Sequence, residues 1–321
     1  MSWPVDHAIS VPAEPGTYGE PPSGFRLPAS TRLGAVHLQI SSLARSLAYY
    51  EAVVGLRLVE RGEAHATLAA QGGTAPLVVL HELPGARAMM SRGRLGLYHF
   101  ALLLPERAAL GRFIRHLAAR RERAGSADHL VSEALYLQDP DGLGIEVYAD
   151  RPRDTWKRAG RELMMASDPI DAASLVTEAG DAPWVGLPSG TRIGHLHLHV
   201  GDLDTASRFF SDALGFDRMV WQYPGALFLG AGGYHHHLGT NTWAGTSAVP
   251  PTGEDARLRE WTIELSDDAE VQLATASLQA GGFDPVHADG QTLVRDPWGT
   301  AVRIRTSADP LRRAVPRAAT S

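Results

Sequence analysis

The chain repeats itself, and the repeat limits what it can fold into. Residues 33 to about 78 match a second stretch at a constant offset of 160. Gly34 meets Gly194, His37 meets His197, Leu43 meets Leu203, Gly55 meets Gly215, and Gly72-Gly73 meets Gly232-Gly233. Self-similarity at a fixed spacing marks one supersecondary unit used more than once. Leu33–Ile40 alternates apolar and polar like a strand, and Leu43–Val54 carries apolar residues at helical spacing with Gly55 as its stop. Leu58-Val59, Ala66–Ala70 and Pro76–Leu80 read as three more short strands. The unit is βαβββ.

Two further copies follow the same plan. In the second unit Tyr98–Leu104 is a strand and Ala108–Arg123 a basic amphipathic helix. Ala134–Gln138 and Gly144–Tyr148 then flank an Asp139-Pro140-Asp141-Gly142 turn. The third unit opens at Ile193–Val200 and the fourth at Glu260–Leu265; the fourth carries an Asp296-Pro297-Trp298-Gly299 turn between its last strands. The expected fold class is α+β, with four βαβββ modules pairing into two open β-barrels and helices outside. Residues 1–30, rich in Pro, Gly, Ser and Glu, are expected as an extended arm draped over a neighbour or partly disordered. Modules one and two take residues 31–150 and modules three and four 191–307. Residues 151–190 are expected as a long structured linker, Pro-rich and irregular, anchored by Trp156 and Trp184, and 308–321 as a frayed tail.

Net charge is −6 with no long run of either sign, which argues against nucleic acid or an anionic membrane as partner. No segment approaches the ~20 apolar residues of a membrane span, and no leader peptide is visible, so a cytoplasmic protein is expected. Cysteine is absent. Thiolate metal sites, disulfides and cysteine nucleophiles are therefore excluded. Any metal is held by imidazole, carboxylate and water, a donor set that suits Fe, Mn, Zn or Ni.

Histidine is concentrated in one unit, as His195-x-His197-x-His199 and His235-His236-His237. A histidine triple alone is compatible with an inert surface cluster. The matching stretch of unit one, however, keeps only His37 of these, so the fold does not require the others.

Four such units with DPxG turns resemble the vicinal oxygen chelate superfamily, which includes glyoxalase I, bleomycin-resistance proteins and type I extradiol dioxygenases. Within it, three stretches resemble catechol 2,3-dioxygenases of the CatE type: Gly96–Pro105, Ser132–Gly142 continuing through Ile145–Pro152, and Gly232–Trp243. The resemblance implies ligands from the start of a first strand and the middle of a last strand. Units two and three offer His99, Glu146, His195 and His236 at those places; units one and four offer Ala35, Pro76, Glu260 and Arg303. It thus implies His99, Glu146 and His195 as ligands of Fe(II), with Mn(II) as the alternative. His236 would be the acid/base, its unperturbed pKa of about 6.5 suiting that task. Tyr136 would hydrogen-bond a substrate oxygen, and His129 resembles an active-site histidine that precedes such a tyrosine.

His197 is expected in a supporting role at the pocket, and Asn241 and Trp243 either at its rim or packed beneath it. His199 is left open. Strand alternation should turn His235 and His237 away from His236. Glu260 and Arg303 are expected to form an ion pair that replaces the metal in the other barrel. The active pair is units two and three, joined either within one chain or across subunits of an expected homo-oligomer.

The activity so implied is O2-dependent cleavage of catechol or a substituted catechol beside its hydroxyls. The alternatives are a glyoxalase-like isomerase with His236 as fourth ligand, a hydroquinone dioxygenase, or a non-enzymatic binding protein.

Overall fold

Two alternating first strands form the centre of each sheet in the computed structural model, which describes residues 10–90 and 92–307. Unit one contains β2 (Arg32–Ile40), α1 (Leu43–Tyr49), β3 (Arg57–Arg61), β4 (His65–Ala69) and β5 (Val78–Glu82), after a short β1 (Val11–Pro12) in the arm. Unit two contains β6 (Gly96–Leu103), α2 (Arg107–Arg120), β7 (Gly125–Asp128), β8 (Ser132–Gln138) and β9 (Gly144–Asp150). Next come β10 (Lys157–Ala159), β11 (Glu162–Leu163) and α3 (Ala172–Glu178). Unit three has β12 (Arg192–His199), α4 (Leu203–Ala206), β13 (Asp217–Val220), β14 (Ala226–Gly230) and β15 (Leu238–Asn241). Unit four has β16 (Arg257–Leu265), α5 (Asp268–Ala280), β17 (Val286–Ala288), β18 (Gln291–Arg295) and β19 (Ala301–Thr306).

The helices start where side chains can cap them. Ser42 accepts from the Arg45 amide and Asp202 from the Thr205 amide, each satisfying a donor with no partner inside the helix. Both α1 and α4 widen into π-helical turns, Tyr50–Val54 and Ser207–Ala213. That widening recurs in both repeats, so it belongs to the unit. Gly55 follows the first with φ 87°, a conformation open to glycine at no steric cost.

Strand order is β13-β14-β15-β12-β6-β9-β8-β7 in one sheet and β17-β18-β19-β16-β2-β5-β4-β3 in the other. Unit three therefore pairs with unit two, and unit four with unit one, within a single chain. Both sheets are open eight-stranded half-barrels whose helices pack outside, an α+β fold. Buried Val36, Leu38, Phe100, Leu102, Leu196, Leu198, Trp261 and Ile263 on the four first strands carry the core between sheets and helices.

Three sequence expectations change. The arm runs over its own chain: β1 pairs with β10, the Leu27 amide donates to the Gly215 carbonyl, and Arg26 bonds both oxygens of Asp217 at 2.6 Å. Residues 1–9 and the expected frayed tail from 308 lie outside the described residues. Segment 151–190, expected as a structured linker without regular elements, contains them: β10 and β11 join β1 in a three-stranded sheet and α3 packs on α2. Trp156 is fully buried as an anchor, while Trp184 is half-buried against Phe113 and His116. These segments also cover the free edges of the histidine-rich sheet, with Glu20 bridging to Arg218 on β13 and Asp168 to Asp128 on β7. Finally, the last strand of unit three begins at Leu238, so the histidine triple lies on the loop before it. Among the described residues no helix is long and apolar enough to cross a membrane.

Candidate metal centre and active cleft

Ala101 marks the floor of the site. It opposes His195 across the β6–β12 pair and Glu146 across the β6–β9 pair, and His99 lies two residues before it. Alternation along a strand puts positions i and i−2 on one face, so all three side chains project to the same side over a small residue. Glu146 Oε2 is 3.0 Å from His99 Nε2 and 3.2 Å from His195 Nε2. Donor atoms of the three lie within 4.8 Å of one another, the one such cluster among the described residues.

The cluster fits a divalent cation. His99, Glu146 and His195 are 5%, 1% and 2% exposed, yet His99 Nε2 and Glu146 Oε1 have no hydrogen-bond partner. Buried polar atoms left unpaired are costly, and a metal would satisfy both. Burial would raise the Glu146 carboxyl, but His195 and then His99 outweigh it and hold it well below the ordinary carboxylate range. Burial pushes His99 down, with Glu146 opposing in part. Ionised carboxylate beside neutral imidazole is the protonation state that binds metal.

Above the cluster is a cleft of about 650 Å³ including its mouth, lined by His129, Tyr136, His197, His236 and the aromatic rings of Tyr98, Tyr223, Phe228 and Trp243. Tyr136 opposes Glu146 across the β8–β9 pair. His129 donates from Nδ1 to the Ala166 carbonyl at 2.5 Å, so its Nε2 is the acceptor for the Tyr136 hydroxyl, also at 2.5 Å. His236 packs its ring on His195 with centroids 4.1 Å apart, and its imidazole is pushed well below the ordinary value by burial and then by His195. The unperturbed value expected from sequence does not survive that burial.

Asn241 is fully buried, not at the rim. Its Nδ2 donates to His197 Nε2 at 2.9 Å, while its Oδ1 accepts from His199 Nδ1 at 2.6 Å. It clamps two imidazoles beneath the cleft. Trp243, 44% exposed, stands at the mouth. His235 and His237 do not alternate with His236, since the three lie on a loop, and both are buried. His237 Nδ1 accepts from the Ala231 amide, and His235 meets Asp150.

Sequence reading missed Tyr98, Tyr223, Phe228 and Asp150. Alternation from His99 turns Tyr98 away from the site, but the β6–β12 register slips between His197 and Leu198. The bulge brings Tyr98 against His99, His197, His199 and Trp243. Gly194 had a signal in the repeat, and its cause is now plain. A Cβ there would lie 1.9 Å from the Tyr148 hydroxyl, whose ring packs on His195 at 4.8 Å.

Residues 32–147 and 192–304 each match the Glyoxalase/Bleomycin resistance protein/Dioxygenase superfamily model. The chain is 44% identical over 271 residues to a catechol-2,3-dioxygenase of Bacillus subtilis (strain 168), covering 83% of this chain and 94% of that protein. The crystal structure of a putative dioxygenase from Bacillus subtilis subsp. subtilis str. 168 superposes with a TM-score of 0.61 at 13% identity, over 89% of this chain and 87% of that one. Glyoxalase I from Zea mays superposes with a TM-score of 0.51 at 17% identity, over 86% and 92%. These two likenesses concern the fold alone. The chain belongs to the glyoxalase/bleomycin resistance protein/dioxygenase superfamily.

Proposed function

We propose that this member of the superfamily is an extradiol dioxygenase that opens the ring of an uncharged catechol beside its hydroxyls, using O2 and a ferrous ion held by His99, Glu146 and His195. The observation that carries the reading is the buried two-histidine, one-carboxylate cluster under an aromatic cleft. The catechol-2,3-dioxygenase name of the 44% identical relative supports it. When bound, the ferrous ion supplies open coordination positions for both diol oxygens and for O2, and the redox chemistry between them.

The protein's own residues supply position, dryness and proton transfer. Tyr98, Tyr223, Phe228 and Trp243 form apolar walls that take an aromatic ring and keep water out. No Lys or Arg lines the cleft among the described residues, which favours a ring without an acidic substituent. Tyr136 donates to His129 and so turns its oxygen lone pairs to the cleft. There it can accept from a diol hydroxyl, or donate to a diol oxygen when it swings off His129. Neutral His236 takes a hydroxyl proton and later returns one to the opening ring.

The rival reading, a four-ligand isomerase site, needs His236 as a ligand. His236 lies outside the cluster of donor atoms within 4.8 Å, which favours the proton-transfer role. Anaerobic metal analysis followed by a catechol assay in air tests the proposal. The expected result is bound iron, O2 uptake and a yellow semialdehyde. A protein that consumes no O2 with any catechol, yet isomerises a hemithioacetal, overturns it.

A further inference from the structure

One face of β9 does more than hold the metal ligand. Glu146, Tyr148 and Asp150 occupy alternate positions of the strand and therefore project to one side. Glu146 meets His99 and His195, Tyr148 packs on His195, and Asp150 reaches His235. The histidine beside the proposed proton carrier is thus tied to the same strand as the metal cluster.

We propose that Asp150 and His235 are positioning residues that fix the tautomer of His236, leaving its Nε2 as the bare nitrogen. The inference rests on the reading of His236 as the proton carrier. A chain of hydrogen bonds links Asp150, His235 and His236. His235 Nε2 lies 2.9 Å from Asp150 Oδ1. A carboxylate oxygen only accepts, so that nitrogen carries the hydrogen. A neutral imidazole has one N–H, which leaves His235 Nδ1 bare. His235 Nδ1 is 2.7 Å from His236 Nδ1, and a contact that short between two nitrogens needs one hydrogen between them. It comes from His236. The remaining nitrogen of His236, Nε2, therefore holds a lone pair on a ring that lines the cleft.

The surroundings hold this arrangement in place. His235 is completely buried, with its ring 4.1 Å from that of Tyr234 and 5.4 Å from that of Trp156. Its Nε2 is directed at Asp150 and its Nδ1 at His236. The Tyr234 hydroxyl donates to the same Asp150 oxygen at 3.1 Å and shares a 2.7 Å contact with the Tyr148 hydroxyl. Asp150 is thereby fixed by a second donor. The side chain of Asp150 remains 27% exposed, so it is the point where this buried chain meets solvent. A carboxylate that sets the tautomer of a working histidine is the logic by which catalytic triads orient their base. Here a second imidazole is interposed between the two.

The test is the tautomer itself. The full chain, labelled with 15N at histidine and loaded with diamagnetic Zn(II), gives long-range 1H–15N correlations that separate protonated from bare ring nitrogens. His236 is assigned by the signals lost in His236→Phe. The expected wild-type pattern is Nδ1 protonated and Nε2 bare. Asp150→Ala should introduce the opposite tautomer of His236. In the iron enzyme the same change should lower kcat at least ~10-fold at saturating catechol, with metal content and KM unchanged. Tyr234→Phe keeps the Asp150–His235 bond and should keep the wild-type tautomer. A bare Nδ1 in the wild type, or an unaltered His236 pattern in Asp150→Ala, overturns the proposal. The wild-type spectrum decides even if Asp150→Ala fails to fold. Full turnover by His236→Phe would instead end the proton-carrier reading, while the tautomer assignment would stand or fall on its own spectrum.

Discussion

The two half-barrels have the same strands in the same order around the same kind of central pair, yet one collects histidine and the other an ion pair. Register makes the correspondence direct. His99 opposes His197 across β6–β12, and Glu260 opposes His37 across β16–β2. Glu146 pairs with Ala101, and Arg303 pairs with Thr262. Glu260 therefore stands in the place of His99, and Arg303 in the place of Glu146. Leu293 replaces Tyr136, opposing Arg303 as Tyr136 opposes Glu146. Arg303 reaches both oxygens of Glu260 at 2.6 and 2.8 Å, the ion pair anticipated from sequence. Where one sheet carries a buried carboxylate between two imidazoles, the other brings its own cation. The fold tolerates either solution, so packing alone does not explain His99, Glu146 and His195.

The largest expected effect breaks that contrast outright. Glu146→Ala and His195→Ala should lose the bound metal, on the order of one ion per chain, and with it all measurable activity. Glu260→Ala should keep both and cost only about 1 kcal/mol, because its partner Arg303 is 32% exposed and partly solvated. Metal analysis and chemical denaturation check this, and metal loss in Glu260→Ala would reverse the assignment of the two sheets.

Next in size is His236→Phe. Turnover should fall by ~10²–10⁴-fold with metal retained, the usual contribution of a positioned general base. Metal falling together with activity would make His236 a ligand. A smaller loss, roughly tenfold, is expected for Tyr136→Phe, which removes one hydrogen bond and no proton carrier; steady-state kinetics with catechol separates it from His236→Phe.

The smallest effect compares the two DPxG turns. Burial, opposed by amides of the turn, raises Asp139 to about 7 and Asp296 to about 6. A carboxyl raised in the folded state binds more protons there than in the unfolded chain. Its contribution is full below the unfolded value near ~4 and is lost as pH rises toward the folded value. Asp139→Asn should therefore flatten the decline in stability between about pH 4 and 7 more than Asp296→Asn does. Urea unfolding across that range reads it, and equal slopes in the two variants would refute the ordering.

Much of this was legible because it is local or repeated. The strands beginning near Leu33, Tyr98, Ile193 and Glu260 and the helices after them follow from apolar spacing, and α5 spans Asp268–Ala280 much as that spacing implies. The offset of 160 separated residues needed by the unit from residues present in one copy only. That subtraction, joined to the family resemblance, picked out His99, Glu146 and His195, which the structure brings together. Where alternation was extended through irregular backbone it failed. His235, His236 and His237 were read as strand, but consecutive glycines with φ 60° and 69° at Gly232 and Gly233 keep that stretch a loop. Tyr98 faces the site against simple alternation because a bulge changes the count of residues and leaves no mark on composition.

By itself, then, the sequence determined the unit, its fourfold use and the residues that only two units possess, because periodicity and repeat spacing are properties of neighbours along the chain. Tertiary structure alone decided that units two and three join within one chain, that Asn241 clamps two histidines, and that Asp150 reaches His235 across 85 residues. Each of those depends on which strands share an edge and on where a loop turns. Pairings so distant are selected by burying the whole sheet at once, and no window of sequence contains that choice.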